Sequence, residues 1–285
     1  MVAAALNPLD LVVAAGKMPH RKAPGPFVAG FEGVVDLGGQ IVYVGGPPLP
    51  FGTLGDLVPV PGELAFPVPA GLDPALAATL GVSGTAAWLA LDYRGRLQAG
   101  ENVLILGAGA VGQLAVQAAK VLGAARIVVV DKVKAALDEA LANGADAVID
   151  ISTDEGAQAD AGLRRAAANG YDLVVDLLWG DIVNTAIDHA AMHSRIVQVG
   201  NASGPTSPLL ASVFRNKGMS IIGMSIFATP VDVRREAYAN LTKHALGGSI
   251  GLHYDAVPLD AVDKAWTALK AGSPGKRVVT GPGMR

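Results

Sequence analysis

The sequence predicts an α/β protein in which a doubly wound parallel sheet is joined to a smaller module of β-strands. Residues 101–227 alternate short apolar runs, which are typical of buried strands, with segments of helical periodicity. Residues 1–70 instead carry proline and glycine at high density between short apolar runs, a pattern typical of strands joined by turns. We therefore expect an all-β module at the start of the chain.

The composition indicates a large, well-buried protein. Hydrophobic residues make up 51% of the 285 positions and charged residues only 16%, which favours two domains and a buried parallel sheet. The net charge is −3 without a basic block, so nucleic acid and acidic membrane surfaces are not expected partners. The absence of cysteine rules out disulfides, thiol nucleophiles and cysteine-ligated zinc.

The N-terminal segment does not match a secretory signal peptide. It lacks a basic n-region, and Pro8 and Asp10 interrupt its apolar run. No uninterrupted apolar run approaches the roughly 18 residues that span a bilayer. We expect a cytoplasmic protein with no membrane partner.

Six apolar runs predict the strands of the parallel sheet, with helical patterns between them. The strand candidates are 103–106, 126–130, 147–151, 172–177, 195–199 and 219–226, and the helix candidates are 110–122, 133–142, 158–168 and 181–191. Strands joined by such crossovers form a doubly wound sheet.

Helical patterns also flank the sheet. Asp73 and Pro74 predict a helix start, with aspartate as N-cap and proline at the first helical position. A helix is expected from Pro230 to about Ala245, followed by a strand, a helix and a last strand that return to the β module. The predicted domains are 1–78 with 246–285, and 79–245.

The stretch from Asn102 to Asp131 carries the clearest functional motif. An apolar run is followed by G-x-G-x-x-G and a helical pattern, and a second apolar run ends in an acid; the motif is Gly107-Ala108-Gly109-Ala110-Val111-Gly112. Strand, glycine turn, helix, strand and acid are the context that the dinucleotide-binding fingerprint of the Rossmann fold requires.

Each part of the fingerprint has a physical role in holding a dinucleotide. Gly107 permits the tight turn, Gly109 lets the backbone approach a pyrophosphate, and Gly112 allows close packing of helix on sheet. The helix begins at Ala110 and Val111, where free N–H groups and a partial positive charge favour the pyrophosphate.

Asp131 bears on the choice of cofactor. It follows Gly112 by 19 residues, near the expected spacing of about 20 for an acid that binds ribose hydroxyls. A carboxylate repels a 2′-phosphate, which favours NAD over NADP. Lys132 and Lys134 follow directly and could soften that repulsion, so NADP stays open.

The order of the elements resembles the medium-chain dehydrogenase/reductase superfamily, in which a GroES-like β domain precedes a Rossmann domain and the chain then returns. The motifs that carry this resemblance are Ala5-Leu6-Asn7-Pro8-Leu9-Asp10, Gly30-Phe31-Glu32-Gly33, residues 80–87, the fingerprint, Asn143-Gly144-Ala145-Asp146 and residues 195–200. By family standards the β domain is incomplete, because the stretch before Asn7 and the passage from Gly33 to Tyr43 are short.

The resemblance also implies a chemistry. Zinc alcohol dehydrogenases place a cysteine and a histidine where Asn7 and Phe31 stand, so no zinc is expected here. The sequence is similar to the zinc-free quinone oxidoreductase branch, whose members pass a hydride from nicotinamide to a quinone or an activated alkene. Alternatives are a zinc-free alcohol or aldehyde dehydrogenase, for which no proton relay is evident, and a non-catalytic NAD(P)-binding protein with a shortened β domain.

The resemblance implies roles for particular residues. Asn7 would polarise a substrate carbonyl, or would only form a turn before Pro8. Asp10 is a second candidate that also fits a structural role. Thr85 would face the nicotinamide, or would cap a helix.

The end of the fifth sheet strand holds Val199, Gly200 and Asn201, which in the family touch the nicotinamide. The carboxyl ends of parallel strands are also where ligands bind. Asp176 ends the fourth strand, where a carboxylate is more often a cap.

The five histidines show no metal-ligand spacing. His189 and His193 stand four positions apart, but the second is expected at a helix end. The apolar run at 219–227 is predicted to be the edge strand, which in the family joins the sheets of a homodimer.

Overall fold

The computed structural model describes residues 1–18, 21–22, 25–166 and 169–282. The chain splits into two compact units, which we name the β unit (Met1–Thr85 with Pro230–Arg285) and the parallel-sheet unit (Ala86–Thr229). His20 and the last two residues of the predicted helix 158–168 lie outside the described residues.

The strands are β1 (Ala3–Ala5), β2 (Glu32–Leu37), β3 (Gln40–Gly45), β4 (Ala65–Pro67), β5 (Asn102–Leu106), β6 (Arg126–Asp131), β7 (Ala147–Asp150), β8 (Tyr171–Asp176), β9 (Ala190–Gln198), β10 (Ser220–Gly223), β11 (Tyr254–Pro258) and β12 (Lys276–Thr280). The α-helices are α1 (Pro8–Ala14), α2 (Pro74–Thr79), α3 (Thr85–Leu89), α4 (Ala110–Val121), α5 (Lys134–Ala142), α6 (Glu155–Ala166), α7 (Ile182–Asp188), α8 (Ala211–Lys217), α9 (Val231–Leu246) and α10 (Val262–Lys270). π-helical turns occupy Leu80–Gly84 and Ala90–Arg94, and short 3₁₀ turns occupy Gly62–Leu64, Ile226–Ala228 and Leu259–Ala261.

The β unit contains a mixed six-stranded sheet in the order β11-β12-β1-β2-β3-β4. β11 and β12 are parallel, whereas β12-β1, β1-β2, β2-β3 and β3-β4 are antiparallel. The closing segment of the chain therefore completes the sheet that the first segment begins, as the sequence predicted.

The prediction of an all-β start is wrong at α1, a helix of seven residues. Asn7 is its N-cap, Pro8 occupies the first turn, and Asp10 completes a capping box with Asn7. Because the helix is so short, its terminal hydrogen bonds define it rather than a repeated apolar period. Asn7-Pro8 thus begins a helix, instead of the turn that was one of the two interpretations of Asn7.

The parallel-sheet unit confirms the doubly wound fold. Its six strands follow the order β10-β9-β8-β5-β6-β7, with parallel neighbours throughout. The apolar side chains of the two central strands, β8 and β5, are fully buried, including Leu104, Leu106 and Val174. This burial explains the continuous apolar runs.

The strand β9 begins earlier than predicted and contains His193, which was expected at a helix end. His193 has φ of +61° within the strand, and the preceding helix already ends at Asp188. His189 lies between them and shares a 2.8 Å hydrogen bond with Asp160. The two histidines therefore have separate environments.

The observed division of the chain differs from the predicted boundaries at two segments, 79–85 and 230–245, which belong to the β unit. The physical reason is the packing of α9. The ring of Tyr238 stacks on Tyr43 at a centroid distance of 4.7 Å, and its hydroxyl donates to the carbonyl of Ala77 at 3.1 Å.

One helical segment, Pro74–Arg94, is long and apolar enough to cross a membrane by length and composition. In the described structure, 83% of its most apolar window is buried inside the protein. A buried core helix passes the same test, and the segment is typical of one.

Candidate functional site

The glycine turn after β5 is held by Asp131 at the end of β6. Gly107 adopts φ of +104°, which favours glycine. The next N–H, of Ala108, donates to Asp131 Oδ2 at 2.6 Å. Asp131 Oδ1 accepts the N–H groups of Lys132 and Val133 at 2.7 and 2.9 Å. Asp131 therefore shapes the turn, and its predicted role towards the ribose stays a prediction.

The N-terminus of α4 is open beside this turn. Gly109 is its N-cap and is exposed, and no side chain of the described residues caps it. A Cβ at Gly109 would meet no described atom within 4 Å. The helix then begins with the half-buried Ala110 and Val111, and the open space beside Gly109 at this N-terminus fits a pyrophosphate.

Gly112 lies against the turn that directly follows β5. A Cβ there would lie closer than 3.0 Å to the carbonyl oxygen of Gly107 and 3.5 Å from Leu177 Cδ1. Gly112 therefore permits close packing of the helix on its own loop. The first and last glycines of the fingerprint, Gly107 and Gly112, are therefore in contact with each other.

The predicted nicotinamide segment lies at the same carboxyl edge of the sheet. Val199 and Gly200 both donate their N–H groups to the carbonyl of Asp176, at 2.8 and 3.1 Å. A Cβ at Gly200 would lie 2.6 Å from the carbonyl oxygen of Leu177, and one at Gly107 would lie 3.2 Å from Leu177 Cβ. The structure therefore brings the glycine turn and the end of β9 together around Leu177.

Asn201 follows this segment and is exposed. Its carbonyl accepts the N–H of Gly204 at 3.2 Å, so its backbone forms a turn. Whether its side chain orients a nicotinamide stays a prediction, as it does for Lys132, which is also exposed.

Asp176 caps the turn that follows β8. Its Oδ1 accepts the N–H groups of Leu178 and Trp179 at 2.9 and 2.8 Å, and this contact holds Trp179 at φ of +58°. Its Oδ2 is buried and has no hydrogen-bond partner among the described residues. Burial raises the pKa of Asp176 to about 6.

We expect Asp176→Asn to flatten the dependence of stability on pH. The folded pKa of about 6 exceeds the usual 3.8, so between these values the folded state holds more protons than the unfolded state. The free energy of unfolding therefore falls as the pH rises through this window, by roughly 3 kcal/mol at most.

Asparagine keeps the Oδ1 acceptor and cannot ionise, so the variant should lose the share of this decline that comes from Asp176 and be at least as stable as the wild type at neutral pH. The share from Asp10, whose pKa is also raised to about 6, remains in both proteins. Urea unfolding at pH values below 3.8, between 3.8 and about 6, and above 6 measures the free energy of unfolding of both proteins. Equal slopes for the two proteins would contradict the assignment.

In the β unit, Asn7 is enclosed in a buried polar network. Its amide nitrogen donates to Glu32 Oε1 at 2.7 Å and to the carbonyl of Ala5 at 3.2 Å. Its Oδ1 accepts from Lys276 Nζ at 2.5 Å and from Ser83 Oγ at 3.4 Å. Both amide hydrogens are engaged, so a substrate carbonyl would have to displace an internal acceptor to receive one.

The Asp10 carboxylate is buried and binds backbone N–H groups. Its two oxygens accept the N–H groups of Asn7 and Phe31 at 2.7 and 2.8 Å. Burial raises its pKa to about 6, against the lowering effect of these hydrogen bonds. These bonds join α1 to the segment before β2.

Glu32 is a buried charged residue of this site that the sequence did not identify as a candidate site residue. It is fully buried and accepts from Asn7, from Tyr43 Oη at 3.1 Å and from the Val82 N–H at 2.5 Å. Burial raises its pKa, while these donors and Lys276 oppose the rise. The position of Glu32 inside the motif Gly30-Phe31-Glu32-Gly33 could have indicated its role. No sequence pattern indicated Lys276, because a lone lysine before a strand is typical of a protein surface.

Thr85 is buried, and its hydroxyl donates to the carbonyl of Leu80 at 3.4 Å. Because a π-helical turn precedes it, Thr85 is not a helix N-cap, which excludes that alternative. A role towards the nicotinamide stays a prediction.

A very small cavity of about 10 Å³, which has room for about one water molecule, lies beside Asp10 in the β unit. Its walls include Phe27, Phe31 and Leu49 together with Arg21. The Arg21 guanidinium lies 5.0 Å from the centre of the Phe31 ring. The cavity thus combines apolar walls with one cation.

The donors near Asn7 do not fit a zinc ion. Zinc in proteins takes thiolate, imidazole or carboxylate ligands, but Asn7 faces the Lys276 ammonium and Phe31 carries a hydrocarbon side chain. The described residues contain no group of three or more His, Cys, Asp or Glu placed to hold a metal.

Comparison with known proteins supports the same family. Residues 110–246 match the family described as zinc-binding dehydrogenase. Prostaglandin reductase-3 from Bos taurus is 33% identical over 71% of the chain and 54% of its own length, so the chain spans about half of that relative. A probable quinone oxidoreductase from Leishmania amazonensis is 28% identical over 94% of the chain and 85% of its own length.

The quinone oxidoreductase from Thermus thermophilus, whose structure was also determined with NADPH, superposes with a TM-score of 0.81. It shares 28% identity, and the match covers 98% of this chain and 89% of the other. Together with the fold and the fingerprint, these matches establish that the chain belongs to the medium-chain dehydrogenase/reductase superfamily and is quinone oxidoreductase-like.

Proposed function

We propose that the protein is a zinc-independent NAD(P)H-dependent oxidoreductase whose substrate is a quinone or an activated enone or carbonyl compound. The observation that carries the proposal is the open N-terminus of α4 beside the Gly107 turn, which Asp131 holds in place. The quinone oxidoreductase names of two relatives support it.

The residues of this chain divide the work of holding the cofactor. Gly109 and the first N–H groups of α4 receive the pyrophosphate, and Asp131 accepts the ribose hydroxyls. Val199 and Gly200, at the carboxyl end of β9, line the edge where the nicotinamide ring is placed. A bound nicotinamide supplies the hydride.

The small cavity beside Phe27, Phe31 and Arg21 in the β unit measures about 10 Å³ and has room for about one water molecule, so the proposal places no substrate in it. No part of this proposal needs a metal ion.

Two alternatives have distinct signatures. A zinc-free alcohol or aldehyde dehydrogenase would need a proton relay, and Tyr43, a phenol near Asn7, is buried with its hydroxyl on Glu32. A non-catalytic NAD(P)-binding protein would bind the dinucleotide without turnover.

Calorimetric titration with NADH and NADPH, followed by oxidation assays with a panel of small quinones, enones and aldehydes, tests these functions together. We expect binding and quinone-dependent oxidation. Binding without turnover would favour the non-catalytic alternative, and the absence of binding would overturn the proposal.

We expect Asp131→Ser to raise the affinity for NADPH relative to NADH by about tenfold, equal to roughly 1.4 kcal/mol. The carboxylate that repels a 2′-phosphate is removed, while the serine hydroxyl can still accept the Ala108 N–H. Lys132→Ala is the matched variant and should lower NADPH affinity. An unchanged NADPH/NADH ratio in Asp131→Ser would contradict the preference for NAD.

We further propose a homodimer joined at β10, which is one of the two edge strands of the parallel sheet. The strand is shorter than predicted, covering Ser220–Gly223. A lysine at an edge strand opposes pairing, so Ile222→Lys should yield a monomer in light scattering after size-exclusion chromatography. A wild-type protein of monomeric mass would contradict the proposal.

A further inference from the structure

The Lys276 ammonium lies in a chamber lined by oxygen atoms. Its Nζ lies 2.5 Å from Asn7 Oδ1, 3.3 Å from Ser83 Oγ and 3.8 Å from Glu32 Oε1. The side chains of Lys276 and Glu32 are 4% and 0% exposed. Water therefore contributes little to the solvation of either charge.

The elements that line this chamber are distant in sequence. Asn7 is the N-cap of α1, Ser83 belongs to a π-helical turn, Glu32 begins β2 and Lys276 begins β12. Asn7 and Lys276 are 269 positions apart. The ammonium is thus a point at which four segments of the β unit meet.

The chamber requires a positive charge. The Glu32 carboxylate accepts three hydrogen bonds, from Asn7, Tyr43 and Val82, and the Asp10 carboxylate also acts on Lys276. A buried carboxylate is strongly unfavourable unless a cation and hydrogen bonds compensate it. Lys276 supplies that cation.

The oxygen atoms around Nζ are ligands suited to a compact, hard cation. An amide oxygen, a hydroxyl and a carboxylate are the donor types that proteins offer to such ions, and a lysine ammonium is itself a compact charge with three donors. The chamber therefore recognises an ammonium group by charge and hydrogen bonding.

We propose that Lys276 is a tethered cation in an ammonium-binding chamber, and that this chamber accepts a free primary alkylammonium ion when the side chain is removed. The cation holds Oδ1 of Asn7 towards itself and so directs the Asn7 amide hydrogens to Glu32 and Ala5. This inference is independent of hydride transfer and does not rest on the proposed function.

Chemical rescue of the Lys276→Ala variant of the whole chain tests the proposal. Alanine removes the equivalent of n-propylammonium, so we expect a melting temperature lower by about 10 °C, with partial, saturable recovery in n-propylammonium chloride. Tetramethylammonium chloride of equal concentration should not restore it, because this ion carries no N–H donor.

Lys276→Met is the matched control, since its side chain fills the space without a charge. Neither this variant nor the wild type should respond to n-propylammonium. Equal recovery in all three proteins, or no recovery in Lys276→Ala, would overturn the proposal.

A double-mutant cycle covers the case in which Lys276→Ala does not fold. If the lysine neutralises Glu32, then Lys276→Met with Glu32→Gln should melt at a higher temperature than Lys276→Met alone. A double variant that is no more stable than the single variant, or that does not fold, contradicts the proposal.

Discussion

Gly81→Ala should destabilise the protein by about 3–5 kcal/mol, through overpacking and displacement of a buried charge. A Cβ at Gly81 would lie closer than 3.0 Å to the Tyr43 ring and to Glu32 Oε2. Neither group can retreat easily, because Tyr43 is stacked on Tyr238 and Glu32 is fully buried. The π-helical turn would have to move away from β2 and β3, losing the hydrogen bond from Val82 to Glu32.

Thermal and urea unfolding of the full chain measure this loss. Gly84→Ala, in the same π-helical turn, is the matched control, because its Cβ would lie 3.2 Å from Leu241 Cδ1 and 3.3 Å from Leu80 Cβ. Both distances exceed 3.0 Å and the Leu241 methyl group ends a flexible side chain, so small adjustments suffice and we expect a change of about 1 kcal/mol. Equal effects of the two alanines would show that Gly81 does not have the close contact described.

Alanine substitutions at Gly112 and Gly109 should separate folding from cofactor binding. Gly112→Ala drives a Cβ against the carbonyl oxygen of Gly107, which is backbone and cannot rotate away. We expect a loss of about 2–4 kcal/mol in stability and loss of dinucleotide binding, since the turn that cradles the pyrophosphate is displaced.

Gly109→Ala should leave the melting temperature nearly unchanged, because its Cβ would meet no described atom within 4 Å. The methyl group would occupy the space into which a pyrophosphate must come, so affinity for NADH should fall at least about tenfold. Differential scanning fluorimetry and calorimetric titration report the two properties. Unchanged NADH affinity in Gly109→Ala would contradict the proposal that the pyrophosphate binds beside Gly109.

The parallel sheet and its fingerprint were predictable because they depend on local patterns. β5, β6 and β8 are buried on both faces, so their sequences are continuous apolar runs. The motif from Gly107 to Gly112, followed by Asp131, lies within one strand–helix–strand unit, and its spacing alone placed a glycine turn at a helix N-terminus.

Other parts of the chain were not predictable from such patterns. The helix α1 is defined by a capping box over seven residues, too few for an apolar period to show. The histidine at 193 belongs to a strand whose first residues are irregularly paired with β8. The partner of Gly112 is the backbone of its own loop, and a motif cannot identify which backbone approaches it.

The sequence by itself determined the doubly wound sheet and the position of a dinucleotide-binding turn, because each follows from residues close together in the chain. It also determined the membership of a superfamily, because several such local motifs occur in the order that the superfamily has. Only the tertiary structure decided the environment of Asn7. Its partners Glu32 and Lys276 lie 25 and 269 positions away. The charge and hydrogen bonding of a buried group depend on which distant segments fold against it, and no local pattern records that.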